Sequence, residues 1–351
     1  MEADPISFPP RLGLARLPTP LEPLDRLRER IGGPRIWIKR DDLTDCAVTG
    51  NKIRKLEFTL ARARAAGCDI LITAGGLQSN HCRATALLGA RLGFRVHLLL
   101  REEGAPNPHP QGNLLLDLLA GATVSRYSKA HYRAHQTELY DEWAAHYRAQ
   151  GASPWCIPVG ASDGTGVWGY IGCAAELHTD FAAAGIQPVA IVHATGSGGT
   201  QAGLTAGAHL YRLGCPVIGM AVCDDAAYFQ HKVRADLRDW AQLYATGVAV
   251  EELAIEVNDR YIGPGYGQAT PEVFETIRLL ARIQGLVLDP VYSGKAFHGL
   301  LEEIRRGAFS AADDVVFIHT GGIFGLLAQA DSLAESVAPN GPGSRTEPSQ
   351  R

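Results

Sequence analysis

The chain is short of several features that would place it in other classes. Charge is nearly balanced, with 33 Lys and Arg against 37 Asp and Glu, so no basic field points to nucleic acid or to an anionic membrane. Aromatics make up 7% of the residues, too few for a base-stacking surface. No apolar run is long enough to cross a bilayer. The stretch MEADPISFPP has acids and prolines where a signal peptide needs a basic start and an apolar core. The cysteines at 46, 68, 82, 156, 173, 215 and 223 are odd in number, widely spaced and free of Cys-x-x-Cys, which argues for free thiols in a reducing compartment. These absences predict a cytoplasmic protein with no nucleic-acid, membrane or metal partner.

What is present is an ordinary globular composition, 46% apolar and 20% charged over 351 residues, enough for two domains or one large one. Residues 1–20 are proline-rich and extended. The pattern predicts a helix over 21–29, a strand over 35–39, a helix over 53–66, a buried strand over 69–74, a helix through Leu92 and a strand over 95–100. A Gly/Pro/Asn-rich loop covers 104–112, followed by a helix over 113–119, a strand over 122–127 and a polar helix over 131–149. A second round offers a strand over 155–159, a Gly-rich turn over 160–166, a helix to about 184, a strand over 188–193, a helix over 200–213 and a strand over 216–223. The last clear strand covers 314–318, and the polar Pro/Gly-rich segment from Ser336 reads as a disordered tail. Strands separated by helix-length segments predict parallel sheets covered by helices. Loops at the carboxyl ends of such strands bind ligands, and 75–81, 160–166, 195–200 and 320–325 all fall there.

Two of the segments suggest a specific chemistry. Thr195-Gly196-Ser197-Gly198-Gly199-Thr200 follows an apolar strand, and its backbone N–H groups, hydroxyls and helix N-terminus suit a phosphate. It has neither the P-loop Lys-Ser/Thr nor the Gly-x-Gly-x-x-Gly spacing of a dinucleotide site; alone it reads equally well as a tight strand-to-helix turn. Lys52 follows Gly50 and Asn51 at a helix entrance, where burial would lower its pKa and free the amine for imine formation. Alone it reads as a solvated lysine, which is also the default for Arg54 and Lys55. Together the amine and the phosphate cradle suggest pyridoxal phosphate. Ser79 lies between a strand and a helix, suited both to capping and to holding a substrate carboxylate. His81 and Cys82 are adjacent and point apart on a helix, which weighs against a metal or nucleophile role. Tyr266 and Tyr292, in Gly/Pro loops, are packing anchors or proton carriers. Lys295 is a rival imine lysine, ranked second and read as structural. A sensor protein retaining the fold is the rival from another class, and it predicts no bound chromophore.

Six segments, taken in order, resemble one family: Ile38-Lys39-Arg40-Asp41-Asp42, Gly50-Asn51-Lys52-Ile53-Arg54-Lys55-Leu56-Glu57, Gln78-Ser79-Asn80-His81, the glycine loop, Leu288-Asp289-Pro290-Val291-Tyr292 and Phe317-Ile318-His319-Thr320-Gly321-Gly322. It is the D-cysteine desulfhydrase and 1-aminocyclopropane-1-carboxylate deaminase family, of the tryptophan-synthase-β fold group, and the likeness runs from about residue 11 to 328. The resemblance implies an α/β protein with two open parallel twisted sheets flanked by helices, the fold type II arrangement of enzymes using pyridoxal 5'-phosphate. It implies a large cofactor domain of residues 1–68 plus 165–335, a small substrate-carboxylate domain of residues 69–164, and a homodimer. Lys52 then carries the Schiff base and moves the Cα proton, and Asn51 bonds the cofactor's ring oxygen. Thr195, Gly196, Ser197, Gly198, Gly199 and Thr200 hold its phosphate, and Thr320 faces the pyridine nitrogen. Gln78, Ser79, Asn80 and His81 receive the carboxylate of a small amino acid, and Tyr266 and Tyr292 border the reacting carbon.

A hydroxyl at Thr320 limits electron withdrawal and favours quick β-elimination. The ring-opening deaminases carry an acid after the tyrosine of Asp-Pro-Val-Tyr; Ser293 stands there and counts against cyclopropane opening. Thr49, Ala161-Ser162-Asp163 and Trp168 depart from the family pattern and are expected to alter the pocket wall. His193-Ala194-Thr195-Gly196-Ser197 also resembles the family's L-cysteate sulfo-lyases. The expected reaction is α,β-elimination on a cysteine-like amino acid, with D-cysteine first, L-cysteate second and aminocyclopropane carboxylate third.

Overall fold

The computed structural model describes residues 6–103, 109–331 and 333. Its strands are β1 (Leu21–Pro23), β2 (Arg35–Lys39), β3 (Ile70–Gly76), β4 (Arg95–Arg101), β5 (Thr123–Tyr127), β6 (Pro154–Cys156), β7 (Ala190–Thr195), β8 (Val217–Ala221), β9 (Glu256–Asn258) and β10 (Asp314–Ile318). The α-helices are α1 (Asp25–Ile31), α2 (Asn51–Ala65), α3 (Asn80–Leu92), α4 (Gly112–Leu119), α5 (Lys129–Ala149), α6 (Val167–Ala184), α7 (Gly199–Leu210), α8 (Ala226–Leu243), α9 (Pro271–Gln284), α10 (Ser293–Arg305) and α11 (Ile323–Leu327).

Two sheets result. A 6-stranded sheet has the order β1-β2-β10-β7-β8-β9, parallel except for the edge strand β1; a 4-stranded parallel sheet has the order β5-β4-β3-β6. Both are covered on two faces, which is why their strands read as continuous apolar runs. Alternate residues of β10 feed different cores: Val315 and Phe317 meet Ile36, Ile38 and Val192, while Val316 and Ile318 meet Trp37, Ile191 and Tyr170. In the small sheet Leu71, Val96, Leu98 and Leu100 pack with α2 and α3, whereas Ile70, Ile72 and Leu99 pack with Tyr132, Leu139 and Tyr147 of α5. Each such side chain contributes about 1.5–3 kcal/mol by leaving water, and Phe317→Ala would cost about 3–5 kcal/mol with its cavity.

Chain order reverses between β7 and β10 in one sheet and between β3 and β6 in the other. Such switch points open a crevice at the carboxyl ends of the strands, where ligands bind in open α/β sheets.

Some local expectations are corrected. Residues 21–29 are not one helix: Leu21–Pro23 pairs antiparallel with β2, and α1 begins only at Asp25. The ladder to Trp37, Ile38 and Lys39 outweighs the helical spacing, and Pro23 is tolerated because β1 is an edge. The strand expected over 155–159 is confined to Pro154–Cys156, followed by a 3-10 turn over Val159–Ala161. Helices α8 and α9 and strand β9 belong to a stretch the pattern left unassigned. Residues 104–108 of the Gly/Pro/Asn loop and the tail from Ser336 lie outside the described residues. Among the described residues no helix is long and apolar enough to cross a membrane.

Candidate active site

The lysine helix is built against the last strand of the large sheet. Gly50 holds φ 103°, and a Cβ there would stand 2.5 Å from the Thr320 carbonyl oxygen, so only glycine brings the two segments this close. Asn51 N–H then donates to that same carbonyl at 3.2 Å. Below them Arg54 reaches inward. Its guanidinium donates to both Asp41 oxygens at 2.8 Å and to Glu176 at 2.7 and 2.9 Å, while Tyr170 donates to Asp41 Oδ2 at 2.6 Å. Lys39 joins through Glu176 and Asp180. Arg54 and Lys55 are therefore not solvated surface charges; both are buried, Arg54 because two carboxylate oxygens of Asp41 and two of Glu176 surround it.

A cleft between the two sheets encloses about 630 Å³ of atom-free space, part of it open to solvent. From the lysine helix come Asn51 and Lys52, and from the β3–α3 turn come Gly75, Ser79, Asn80 and His81. Thr195, Gly196, Ser197, Gly198 and Thr200 form its floor, with Tyr266, Tyr292 and Thr320 closing the far side. Burial holds the Lys52 amine down to about 8. Burial and then the Lys52 charge put the Lys55 amine well below its ordinary value. Asn51 Nδ2 donates to Thr200 Oγ1 at 3.0 Å, tying the lysine helix to the helix behind the glycine loop.

The glycine loop is shaped as an anion cradle. Gly198 has φ 86°, and a Cβ on Gly196 would stand 3.0 Å from both Tyr292 and Val222. Ser162 braces the loop from behind: its Oγ lies 2.9 Å from Ser197 Oγ and accepts from Gly199 N at 3.2 Å, and Lys55 Nζ donates to it at 3.3 Å. Thr195 Oγ1 is buried without a hydrogen-bond partner among the described residues. A buried hydroxyl left unsatisfied costs about 1–3 kcal/mol unless a ligand engages it. With α7 pointing its N-terminus here, the residues present fit a phosphate monoester.

At the opposite wall Ser79 caps α3, its Oγ accepting Cys82 N–H at 3.2 Å. That leaves the serine proton and the first α3 amides free for an anion. Thr73 donates its proton to the Ile157 carbonyl at 2.8 Å, so it must accept from His81 Nε2 at 2.8 Å. Burial and the charges of Lys52 and Lys55 keep His81 neutral, leaving Nδ1 a bare acceptor. His81 therefore has no proton to offer a carboxylate. Across the cleft the Tyr266 and Tyr292 hydroxyls are 2.6 Å apart, with rings at 73°. Burial pushes both upward, so both stay protonated near neutrality.

Several expected residues lie off the wall. Gln78 points to α4, donating to Gln111 O at 3.0 Å and accepting from Asn113 N at 2.9 Å. Gly199 faces Ser162. Ser293 turns into the Asp289 loop, donating to Asp289 Oδ1 at 2.7 Å. Thr49, Ala161, Asp163 and Trp168 do not touch the cleft, so the expected change in the pocket wall is corrected to a change in its support: Trp168 packs on Phe8 and Trp240, and Asp163 accepts from Gly166 N. Lys295 is buried outside the cleft, its Nζ donating to the carbonyls of Val222, Ile262 and Gly265 at 3.2, 2.7 and 2.7 Å; burial holds its amine down to about 8, as for Lys52, so position and hydrogen bonding, not pKa, set the two lysines apart. Arg101, Val159 and Ala194 line the cleft without having been expected there, and Gly160 opens the Gly-rich turn that was expected to bind ligands. The usable signal for Arg101 was its place at the carboxyl end of a parallel strand.

The family profile described as pyridoxal-phosphate dependent enzyme matches residues 12–321. A D-cysteine desulfhydrase of Klebsiella pneumoniae is 40% identical over 91% of this chain and 96% of its own length. A mitochondrial bifunctional D-cysteine desulfhydrase/1-aminocyclopropane-1-carboxylate deaminase of Arabidopsis thaliana is 40% identical over 92% of this chain and 80% of its own. The crystal structure of an ACC deaminase homologue superimposes with a TM-score of 0.84 at 35% identity, covering 93% of this chain and 96% of that one. An O-ureido-L-serine synthase, at 17% identity and TM-score 0.64, shares the fold.

Proposed function

The chain belongs to the pyridoxal-phosphate dependent enzyme family, and from that premise we propose that this lyase performs α,β-elimination on a small cysteine-like amino acid, with D-cysteine as the first substrate and pyruvate, ammonia and sulfide as products. The observation that carries the reading is the pairing of a buried, partly neutral Lys52 with a glycine cradle across one cleft.

In this reading Lys52 holds the cofactor's aldehyde carbon. Thr195, Gly196, Ser197, Gly198 and Thr200 take its phosphate, with Gly199 shaping the loop. Asn51 meets the ring oxygen and Thr320 the ring nitrogen. When bound, pyridoxal 5'-phosphate supplies an electron sink beside the substrate amine. The chain's own groups do the rest. Ser79 Oγ–H and the Asn80 end of α3 orient the carboxylate, while Gln78 fixes that turn against α4. Lys52 Nζ, once free, would take the Cα proton. Tyr292, hydrogen-bonded to Tyr266, presents a proton to the departing sulfur. Ser293, tied to Asp289, offers no acid to the cleft, which supports sulfur elimination over ring opening.

We also infer a small carboxylate-binding unit over 69–164 and a cofactor unit over 1–68 plus 165–335, supported by the separate sheets. A cytoplasmic homodimer is part of the same reading, supported by seven unpaired cysteines and by the family likeness. The test is 2-oxo-acid release: pyruvate from D-cysteine and L-cysteate, 2-oxobutanoate from aminocyclopropane carboxylate. Release from D-cysteine is expected; pyruvate from none of the cysteine-like compounds would refute the substrate.

A further inference from the structure

Arg83 lies on α3 one turn after Asn80 and is fully buried. Its Nη1 donates to Asn80 Oδ1 at 3.1 Å and to Asn113 Oδ1 on α4 at 2.7 Å, and its Nη2 donates to the Thr49 carbonyl at 2.7 Å. Its guanidinium carbon stands 5.0 Å from the centre of the Phe324 ring on α11. One cation thus joins the turn proposed to hold the carboxylate, α4, α11 and the segment just ahead of Lys52.

Stability does not account for this arrangement. Asp117 on α4 is the acid whose charge acts most strongly on Arg83, yet the two do not bond: both Asp117 oxygens and Arg83 Nε are buried without a hydrogen-bond partner among the described residues. Burial pushes the Asp117 carboxyl up to about 8. An interior guanidinium is costly, and an ion pair with that acid would have lowered the cost. The bonds go to three carbonyl oxygens instead, and this has a consequence at Asn80. A guanidinium only donates, so the Asn80 side chain must turn its Oδ1 toward Arg83. Its Nδ2 is left for the cleft, which Asn80 lines, and meets no acceptor among the described residues. The amide therefore offers N–H groups there and no carbonyl, which suits a carboxylate, an acceptor only. A turned amide would set oxygen against oxygen.

We propose that Arg83 is a positioning residue: it fixes the Asn80 amide with its N–H groups toward the substrate carboxylate and, through the Thr49 carbonyl, ties that turn to the segment that carries Lys52. The inference rests on the lyase reading, which places the carboxylate at the start of α3. Arg83 itself does not line the cleft. It acts through the orientation of Asn80, so its loss weakens recognition of the carboxylate and not of the amino acid as a whole.

The test compares wild type with Arg83→Met, Arg83→Gln, Arg83→Lys and Asn80→Asp as holoenzymes. Binding of alanine, which carries no leaving group, and of alaninamide, whose neutral amide replaces the carboxylate, is read from the cofactor's absorbance, each compound as both enantiomers. Pyruvate release from D-cysteine is read alongside. Wild type is expected to prefer alanine by at least about tenfold, Met and Gln to cut that preference at least about fivefold, and Lys to restore part of it. Asn80→Asp keeps an acceptor for Arg83 but shows an anionic oxygen to the cleft, and it should abolish or reverse the preference. With D-cysteine, Arg83→Gln should raise KM more than it lowers kcat. Equal binding of the two compounds by wild type would overturn the proposal. So would a preference left intact in Arg83→Met or Arg83→Gln, even with lower thermal stability, since Arg83 would then serve packing alone. If Met does not fold, Gln is read by the same criterion, and Asn80→Asp tests the amide's orientation with Arg83 in place; a preference it leaves intact also overturns the proposal. If wild type released no pyruvate from any cysteine-like compound, the lyase reading would fall, and the alanine preference would still decide the role of Arg83.

Discussion

Asn51 Nδ2 donates to Thr200 Oγ1 across 3.0 Å, joining residues 149 positions apart in the chain. This bond sets the lysine helix against the helix behind the glycine loop, so amine and phosphate cradle are fixed relative to each other before any ligand arrives. Such preorganisation lets binding energy be used for chemistry instead of for assembling the site. Asn51→Ala should therefore weaken cofactor retention by about tenfold or more, the worth of one or two buried hydrogen bonds, with the folded state retained. Dialysis against cofactor-free buffer followed by absorbance checks it; unchanged retention would count against the coupling.

Lys52 predicts a pH dependence. Burial lowers its amine to about 8. A lowered pKa means that the neutral, nucleophilic form appears at lower pH than in free lysine, roughly a tenth of the population at pH 7 against less than a thousandth for an ordinary lysine. Uptake of pyridoxal 5'-phosphate by the apoprotein should speed up as pH rises and level off above about 8. Stopped-flow absorbance measures it, and a rise that continues past pH 10 would contradict the burial argument.

Tyr292→Phe removes the hydroxyl proposed to protonate the departing sulfur and should lower kcat by about 10²–10⁴-fold with a small change in KM, as for loss of a general acid. Tyr266→Phe removes only its partner at 2.6 Å and should cost less. Steady-state kinetics of the two variants decides between this role and simple packing, which would move stability instead of kcat.

Arg54→Met leaves Asp41, which is fully buried, without its main counter-charge. The loss should be about 3–5 kcal/mol of stability, because an uncompensated buried charge remains. Urea unfolding of the holoenzyme measures it. A shift below about 1 kcal/mol would mean that Lys39 and Tyr170 suffice.

How far the sequence could be read follows from the kind of force that decides each feature. Strands such as β3, β7 and β10 announce themselves as apolar runs because both faces are covered, and Ser79 and the glycine loop carry local turn chemistry. The destinations of charged side chains are set by partners distant in the chain. Arg54 is buried because Glu176 on α6 meets it 122 positions later, and nothing near Arg54 signals that. Gln78 resembles a ligand-binding residue in its motif, yet it is taken by Gln111, just before α4, and by Asn113 on α4. Arg101 is visible as a strand-end residue, but its lack of a carboxylate partner appears only when neighbouring Glu102 and Glu103 are traced to Arg126 and to the Lys129 amide. Ser293, read as standing in the place of the ring-opening acid, is held by the Asp289 turn.

The central claim is that Lys52, and not Lys295, which is also buried, carries the cofactor. Borohydride reduction of the holoenzyme, proteolysis and peptide mapping test it directly. The account predicts a single label on the peptide that contains Lys52 and none on the peptide that contains Lys295, whose ammonium is bonded to three carbonyls. A label on Lys295, or on any other lysine, would contradict it.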